Sequence, residues 1–274
     1  MDLGTIRRIL MRLEDTVIFL MIERAQFSHN PVIYESTNTF AELEKDRESS
    51  FMGWMLRQTE ITHAKVRRYE SPDEYPFTPR SDLPAAILPP LDYPKFLHPN
   101  KININDELKE IYIKNIVPVL TKRDGRPLDD SNYGSSATRD VEILQAVSRR
   151  IHYGKFVAEL KFRDHPSDFI THIRDKNSEE LAKLITIAKV EEALLQRLEK
   201  KALAYGQDVD ESSQLNDLQK GKCKLDAAFV VSMYRDYVIP LTRKVEVEYL
   251  LNRLEGISGT DINGLLKINK ENQK

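Results

Sequence analysis

Two cations near the middle of the chain have a spacing that would let them hold one small anion. Arg150 and Lys161 are eleven residues apart in a segment whose apolar residues follow a helical period. Eleven residues make close to three turns of α-helix, so both side chains would project from nearly the same face, about 16 Å apart along the axis. Their long side chains could reach opposite ends of a small anion. The alternative is that both are solvated surface cations.

A hydroxyl and a carboxyl group form a second candidate pair nearer the C-terminus. Thr242 and Glu246 have the i,i+4 spacing that places two side chains on one helix face. Such a pair could bind a polar ligand between helices. Alternatively, both could be solvent-exposed residues of the helix surface with no binding role. Glu191 is ambiguous in the same way, because glutamate is an ordinary helix former.

Conventional catalytic and metal-binding signatures are absent from the sequence. It contains no glycine-rich phosphate loop, no His-Glu-x-x-His motif and no Cys/His cluster with zinc spacing. Its single cysteine, Cys223, lies in a polar segment between lysines, and no base is evident nearby. We interpret it as an unreactive thiol, because a reactive cysteine requires a lowered pKa.

The elements that would position these residues are predicted to be helices. Ten glycines among 274 residues are about half the usual share, which favours helix. From Leu3 to Leu20 the apolar residues recur at alternating steps of three and four, as on one face of a helix. Further helices are predicted from Ser49 or Ser50 to Arg68, from Asn105 to near Pro118, from Thr138 through Leu160, from Ser178 to Gly206, and from Asp226 to Leu254 with a bend near Pro240.

Polar or proline-rich segments separate these helices. Eight of the thirteen prolines lie in residues 72–99, which predicts an ordered crossover loop. Residues 122–136 and 207–224 are predicted to be further polar loops. We therefore predict an all-α fold, with one large helical domain over residues 1–256 and a polar C-terminal tail over residues 257–274.

Charge and cysteine content narrow the classes of partner. The formal net charge is −2 with a pI near 6.3, so the chain lacks the basic field of a nucleic-acid-binding protein. The start of the sequence lacks the pattern of a signal peptide, and its apolar runs are too short for a membrane span. These short apolar runs lead us to expect no membrane partner. One cysteine cannot form an intrachain disulfide, so we expect a cytoplasmic, reducing location.

Six separated segments resemble the all-helical chorismate mutases of fungi and plants. They are RLEDTVIF at residues 12–19, IER at 22–24, VRRYESPDE at 66–74, YGSSATRD at 133–140, SRRIHYGKFVAELK at 148–161 and VEVEYL at 245–250. They occur in the order found in that family, and the resemblance covers residues 5 to about 255. It implies the unimolecular rearrangement of chorismate to prephenate, which feeds phenylalanine and tyrosine biosynthesis. Such a reaction requires no nucleophile, cofactor or metal.

The resemblance also implies roles for individual residues. Arg7 and Arg150 match arginines that clamp the two substrate carboxylates, for which a bidentate guanidinium is well suited. Lys161 matches the cation that donates to the ether oxygen, and Glu246 matches a carboxyl group on the other side of that oxygen. Glu191 and Thr242 match substrate-binding positions.

Two features qualify this assignment. An ionised Glu246 would repel the ether oxygen, so its acid form must be the useful one, and we expect activity to favour mildly acidic pH. Many fungal relatives place a polar side chain at the position that Ile187 occupies here. A backbone N–H, or Glu191 with Thr242, would have to replace that contact.

The resemblance further implies a regulated homodimer. Fungal members are inhibited by tyrosine and activated by tryptophan at a site between subunits. The matching residues here are Arg67, Arg68, Asn132, Gly134, Ser135 and Thr138. Paired arginines suit an α-carboxylate, although Arg67 and Arg68 could also simply offset a helix dipole. Asp226 lies at the position of a switch residue and differs from the expected side chain.

Two other functions remain open at this stage. The chain could be a catalytically inert helical sensor of aromatic amino acids, which the joint presence of the six substrate-site residues argues against. It could also be a secreted relative that consumes chorismate, which the absence of a signal peptide and of paired cysteines argues against.

Overall fold

The computed structural model describes residues 2–35, 40, 50–207, 224–258 and 261–262. All regular secondary structure in these ranges is helical, which confirms the predicted all-α class. The predictions for Ser49, Cys223, most of the 207–224 loop and most of the tail concern residues outside them. The α-helices are α1 (Leu3–Ala25), α2 (Phe51–Lys65), α3 (Asn105–Ile111), α4 (Val117–Leu120), α5 (Tyr133–His152), α6 (Gly154–Asp164), α7 (Pro166–Arg174), α8 (Ser178–Ile185), α9 (Ala188–Tyr205), α10 (Ala227–Met233) and α11 (Ile239–Leu251).

Side-chain caps mark the beginnings of four helices in the described ranges: α1, α2, α8 and α10. Asp2 accepts a hydrogen bond from the Thr5 backbone N–H at 2.9 Å, and Ser50 accepts one from Gly53 at 3.1 Å. The side chain of Asp226 accepts from the backbone of Ala228. Each satisfies a helix donor that would otherwise lack a partner, which explains why α1, α2 and α10 begin where they do. The predicted starts at Ser50 and Asp226 are confirmed.

Several predicted boundaries were wrong, including the ends of α2, at Lys65 rather than Arg68, and of α11, at Leu251 rather than Leu254. The fifth helix begins at Tyr133 rather than Thr138, because the Gly-Ser-Ser segment, which has weak helix propensity, is helical here. The long pattern after it divides at Tyr153 into α5 and α6. The pattern from Ser178 divides into α8 and α9, because Thr186 and Ile187 have extended backbone angles. Helix α7 was not predicted at all.

Two of the helices that contain proline, α4 and α11, follow directly on a segment of π-helix. Residues Tyr112–Ile116 and Tyr234–Val238 are wound this way, and Pro118 or Pro240 follows each. Proline has no N–H and its ring clashes with the carbonyl four residues earlier, so a wider turn before it lets the helix continue. The predicted interruption near Pro240 is therefore a local change of helix type.

The core forms where α5 packs between α1, α2, α3 and α11. Val17 and Ile18 of α1 and Leu144 of α5 are fully buried in it. A buried ion pair joins the same two helices, because the Arg24 Nε donates to Asp140 at 2.8 Å and neither side chain is exposed. None of the helices in the described ranges combines the length and hydrophobicity of a membrane span.

Candidate active site

The cationic pair predicted from spacing lies on two consecutive helices. Arg150 is in the last turn of α5, and Lys161 is in the third turn of α6. Tyr153 between them keeps right-handed helical angles, and backbone hydrogen bonds from Tyr153 to Arg149 and from Val157 to Tyr153 continue across the junction. Arg150 is only 7% exposed, and its Nε is buried without a hydrogen-bond partner in the described part of the chain. It is therefore not an ordinary solvated surface cation.

Glu246 of α11 is the buried acid around which these cations are arranged. It is 9% exposed, and burial raises its pKa to about 7 because the ionised form loses water. The positive charges of Lys161, Arg150 and Arg243 lower that pKa, and the charge of Glu191 raises it. Four of the predicted residues are therefore close enough to interact electrostatically: Arg150, Lys161, Glu191 and Glu246.

Lys161 is held at the junction between α8 and α9. Its Nζ donates to the carbonyl of Ile185 at 2.5 Å, just before the two extended residues that separate those helices. Burial lowers the pKa of Lys161, and the charges of Glu246 and Glu191 raise it. One backbone carbonyl uses one of its three N–H groups, which leaves donors for a ligand.

Glu191 and Thr242 lie beside this cluster with one polar atom of each already engaged. Glu191 is in the first turn of α9 and forms an ion pair with Arg243 of α11 at 2.7 Å. The Thr242 hydroxyl donates to the carbonyl of Val238 at 2.6 Å, within its own helix. The second oxygen of Glu191 and the lone pairs of the Thr242 hydroxyl can still accept hydrogen bonds from a ligand, but Thr242 could donate to a ligand only by leaving Val238.

Gly154 lies against α11 beside the site. It is the first residue of α6 and is buried. A Cβ at this position would lie 2.9 Å from the Cγ of Glu246 and 3.1 Å from both Cγ2 and the carbonyl oxygen of Thr242. The absence of a side chain therefore permits this contact.

A second polar cluster, which sequence reasoning missed, lies close to Arg150. Glu14 of α1 is 1% exposed and accepts from Arg197 at 2.8 Å and from Lys201 at 3.2 Å, both on α9. The hydroxyl of Tyr234 is buried without a partner in the described ranges, and the Arg150 charge lowers its pKa against a larger rise from burial. A glutamate inside the apolar stripe of α1, and two cations four residues apart on α9, were the available signals.

Neither Arg7 nor Ile187 forms a side-chain hydrogen bond or ion pair with the buried cluster in the described part of the chain. Arg7 is exposed on α1 and has no hydrogen bond or ion pair within the described part of the chain. Ile187 is 49% exposed and precedes the first residue of α9 without capping it. The structure therefore gives Arg7 no contact with Arg150, Lys161 or Glu246.

The predicted effector residues fall into two groups within one chain. Arg68 donates to Gln145 at 3.2 Å, and Gln145 is eleven residues, or about 16 Å, further along α5 than Gly134. Arg67 has a positive φ of 66°, and its Nε and Nη1 are buried without partners in the described ranges. The other group begins α5 and is mostly exposed: Asn132, Gly134, Ser135 and Thr138. One chain alone does not bring the two groups together.

The geometry of the fold and of the Glu246 cluster defines a class of protein. It is an all-helical protein in which a buried acid group faces cations suited to a small anionic ligand. In the described residues, no three His, Cys, Asp or Glu side chains are grouped as a metal site requires.

Comparison with known proteins identifies the family within this class. Residues 132–247 match the family model for chorismate mutase type II. The chorismate mutase of Emericella nidulans is 46% identical over 260 residues, covering 93% of this chain and 94% of that protein. The chain belongs to the chorismate mutase family, whose members are isomerases.

Solved structures of chorismate mutases have the same fold as this chain. The chorismate mutase of Candida albicans, in complex with L-Trp, has a TM-score of 0.85 and 40% identity, covering 96% of this chain and 95% of that one. The protein AtCM1, with tyrosine bound in an allosteric site, has a TM-score of 0.80 and 41% identity, covering 93% and 97%.

Proposed function

We propose that this chain rearranges chorismate to prephenate at the cluster around Glu246, and that aromatic amino acids control it. The observation that carries the catalytic part is a buried acid, with a pKa raised to about 7, close to Lys161 and Arg150. The reaction needs a folded substrate conformer and stabilisation of charge on the breaking ether bond, which fixed charges and donors can supply.

Each group of the cluster has a distinct task in this proposal. Arg150 binds a substrate carboxylate, because its buried Nε has no protein partner in the described ranges. Lys161 donates to the ether oxygen as negative charge develops there. Protonated Glu246 donates from the other side. No proton has to be transferred, so these groups act by position and charge.

Two of the remaining predicted substrate contacts require rearrangement on binding. To donate to the substrate, the Thr242 hydroxyl must turn from the carbonyl of Val238, whereas Glu191 can accept through its second oxygen while the first stays paired with Arg243. Arg7 must swing from solvent towards the second carboxylate. A dianionic ligand would favour the movement of Arg7, because it adds negative charge close to an unpaired cation.

We further propose that two copies assemble so that the arginines of one face the start of α5 in the other. The separation of about 16 Å along α5 within one chain supports this, since one effector cannot bridge it. The unpartnered nitrogens of Arg67 also support it, because a buried guanidinium needs an acceptor. Relatives solved with L-Trp and with tyrosine make an aromatic amino acid the natural effector.

Loss of chorismate absorbance with the purified chain tests both parts. We expect turnover without added metal or cofactor, slower turnover with tyrosine and faster turnover with tryptophan. Sedimentation at the assay concentration should give the mass of a dimer. Binding of tyrosine without turnover would instead favour a catalytically inert sensor, and unregulated turnover by a monomer would refute the effector proposal.

A further inference from the structure

A glycine stands at the start of α6 where its backbone does not require one. Gly154 is helical, and it is not among the described residues with positive φ. Glycine is unfavourable in a helix because of its conformational freedom. Space, rather than backbone conformation, is therefore the reason for a glycine at this position.

The space is taken by the two α11 side chains assigned to the substrate site. A Cβ on Gly154 would be 2.9 Å from Glu246 Cγ, whereas carbon atoms normally approach to about 3.5 Å. Glu246 alone could yield by about 0.6 Å, but the Thr242 carbonyl oxygen at 3.1 Å belongs to the backbone. Relief of both contacts would move this face of α11 away from α6, which also carries Lys161.

We propose that Gly154 is a positioning residue for the reaction: its missing side chain sets how closely α11 holds Glu246 to α6 and Lys161. This deepens the proposed function and rests on it. Gly154 does not contact the substrate. It acts only by positioning the Glu246 carboxyl group and by excluding water from it.

Gly154→Ala tests the inference by its effect on the pH profile. Water admitted beside Glu246 should lower the pKa of that carboxyl group, because burial is the largest cause of its elevation. We expect the alkaline limb of the kcat profile, which is the fall in kcat towards high pH, to shift to lower pH by about one unit. We also expect kcat at acidic pH to fall about tenfold or more, with a smaller change in KM, since a displacement of about 1 Å can be that costly.

Two further variants separate positioning from a general loss of stability. Ala158→Gly, one turn later and buried on the same helix, weakens α6 without adding an atom against α11, so it should lower Tm and leave the limb in place. In the Glu246→Gln variant, which has no titrating group at this position, adding Gly154→Ala should still lower kcat but should not move its pH profile. A profile that still shifts in that variant would overturn the inference.

These variants distinguish a failure of the inference about Gly154 from a failure of the proposed function. If Glu246→Gln removes the limb but Gly154→Ala changes only Tm, the inference about Gly154 is wrong and the role of Glu246 stands. If Glu246→Gln keeps the limb, the role of Glu246 is wrong. Should Gly154→Ala fail to fold, the same substitution is made together with Glu246→Ala, which removes the shortest of the contacts. A higher yield of folded protein from the double variant supports the contact, and an unchanged yield refutes it.

Discussion

Glu246→Gln replaces a buried group that titrates with an amide of nearly the same size that is a donor at every pH. In the unmodified protein the pKa of Glu246 is raised to about 7 by burial, against the opposing charges of Lys161, Arg150 and Arg243. The useful acid form is then about nine-tenths populated near pH 6 and about one-tenth populated near pH 8. We expect kcat/KM to fall about tenfold across that interval.

The fall in activity towards alkaline pH should occur at a higher pH in the profile of kcat than in the profile of kcat/KM. The kcat/KM profile reports the free enzyme, and the kcat profile reports the substrate complex. A bound dianion disfavours ionisation of Glu246, so it raises the pKa of that group further. Both profiles are measured from chorismate absorbance between about pH 5 and pH 9 at constant ionic strength. In the Gln variant both should be flat on the alkaline side, and a Gln variant with the parent's steep fall would refute the assigned role.

The same substitution should change stability in a pH-dependent way. The pKa of Glu246 is higher in the folded chain (about 7) than its ordinary value of 4.5, so its contribution is fully present below about pH 4.5 and is lost as the pH rises through 7. The loss is limited to about 3 kcal/mol. Thermal unfolding should show that Glu246→Gln gains stability relative to the unmodified chain at pH 8 but not at pH 5.

Three further substitutions test other contacts. Arg243→Ala removes a charge that lowers the pKa of Glu246, so the alkaline limb should move to higher pH, whereas Arg243→Lys should leave it unchanged. Arg67→Ala should raise the tyrosine concentration for half-inhibition about tenfold or more, because a charge-assisted hydrogen bond to the effector is lost; an unchanged inhibition curve would mean that the effector binds elsewhere. Asp140→Asn leaves the buried Arg24 without its counter-charge, so urea titration should show a loss of about 3 kcal/mol or more, and a loss below about 1 kcal/mol would contradict the assignment of a buried ion pair.

Features that depend on local sequence were predictable. The apolar stripe of α1, the caps at Ser50 and Asp226 and the interruption before Pro240 all follow from residues within a few positions of one another. The break between α8 and α9 was not predictable, because it accompanies a contact from the distant Lys161 to the Ile185 carbonyl. Long-range contacts of this kind leave no periodic signal.

The same distinction holds for the candidate site. The spacing of Arg150 and Lys161 predicts a common face, and both act electrostatically on Glu246 although the helix divides at Tyr153. Their relation to Glu246 followed only from the family resemblance, since Glu246 lies more than eighty residues further along the chain. Glu14 was missed because its partners Arg197 and Lys201 are on another helix, and a lone carboxylate on α1 is indistinguishable from a surface residue until they are known.

The charges of the site impose a requirement on how it is packed. A dianionic substrate needs cations, but the cations near Glu246 favour its ionised form, which cannot donate to the ether oxygen. Desolvation must therefore outweigh Lys161, Arg150 and Arg243 together, and the elevated pKa indicates that it does. The balance requires Glu246 to be among the most tightly enclosed groups of the site, which the close approach of α11 at Gly154 makes possible. Once substrate is bound, its own negative charges offset the cations, so the acid form of Glu246 is favoured most when it is needed.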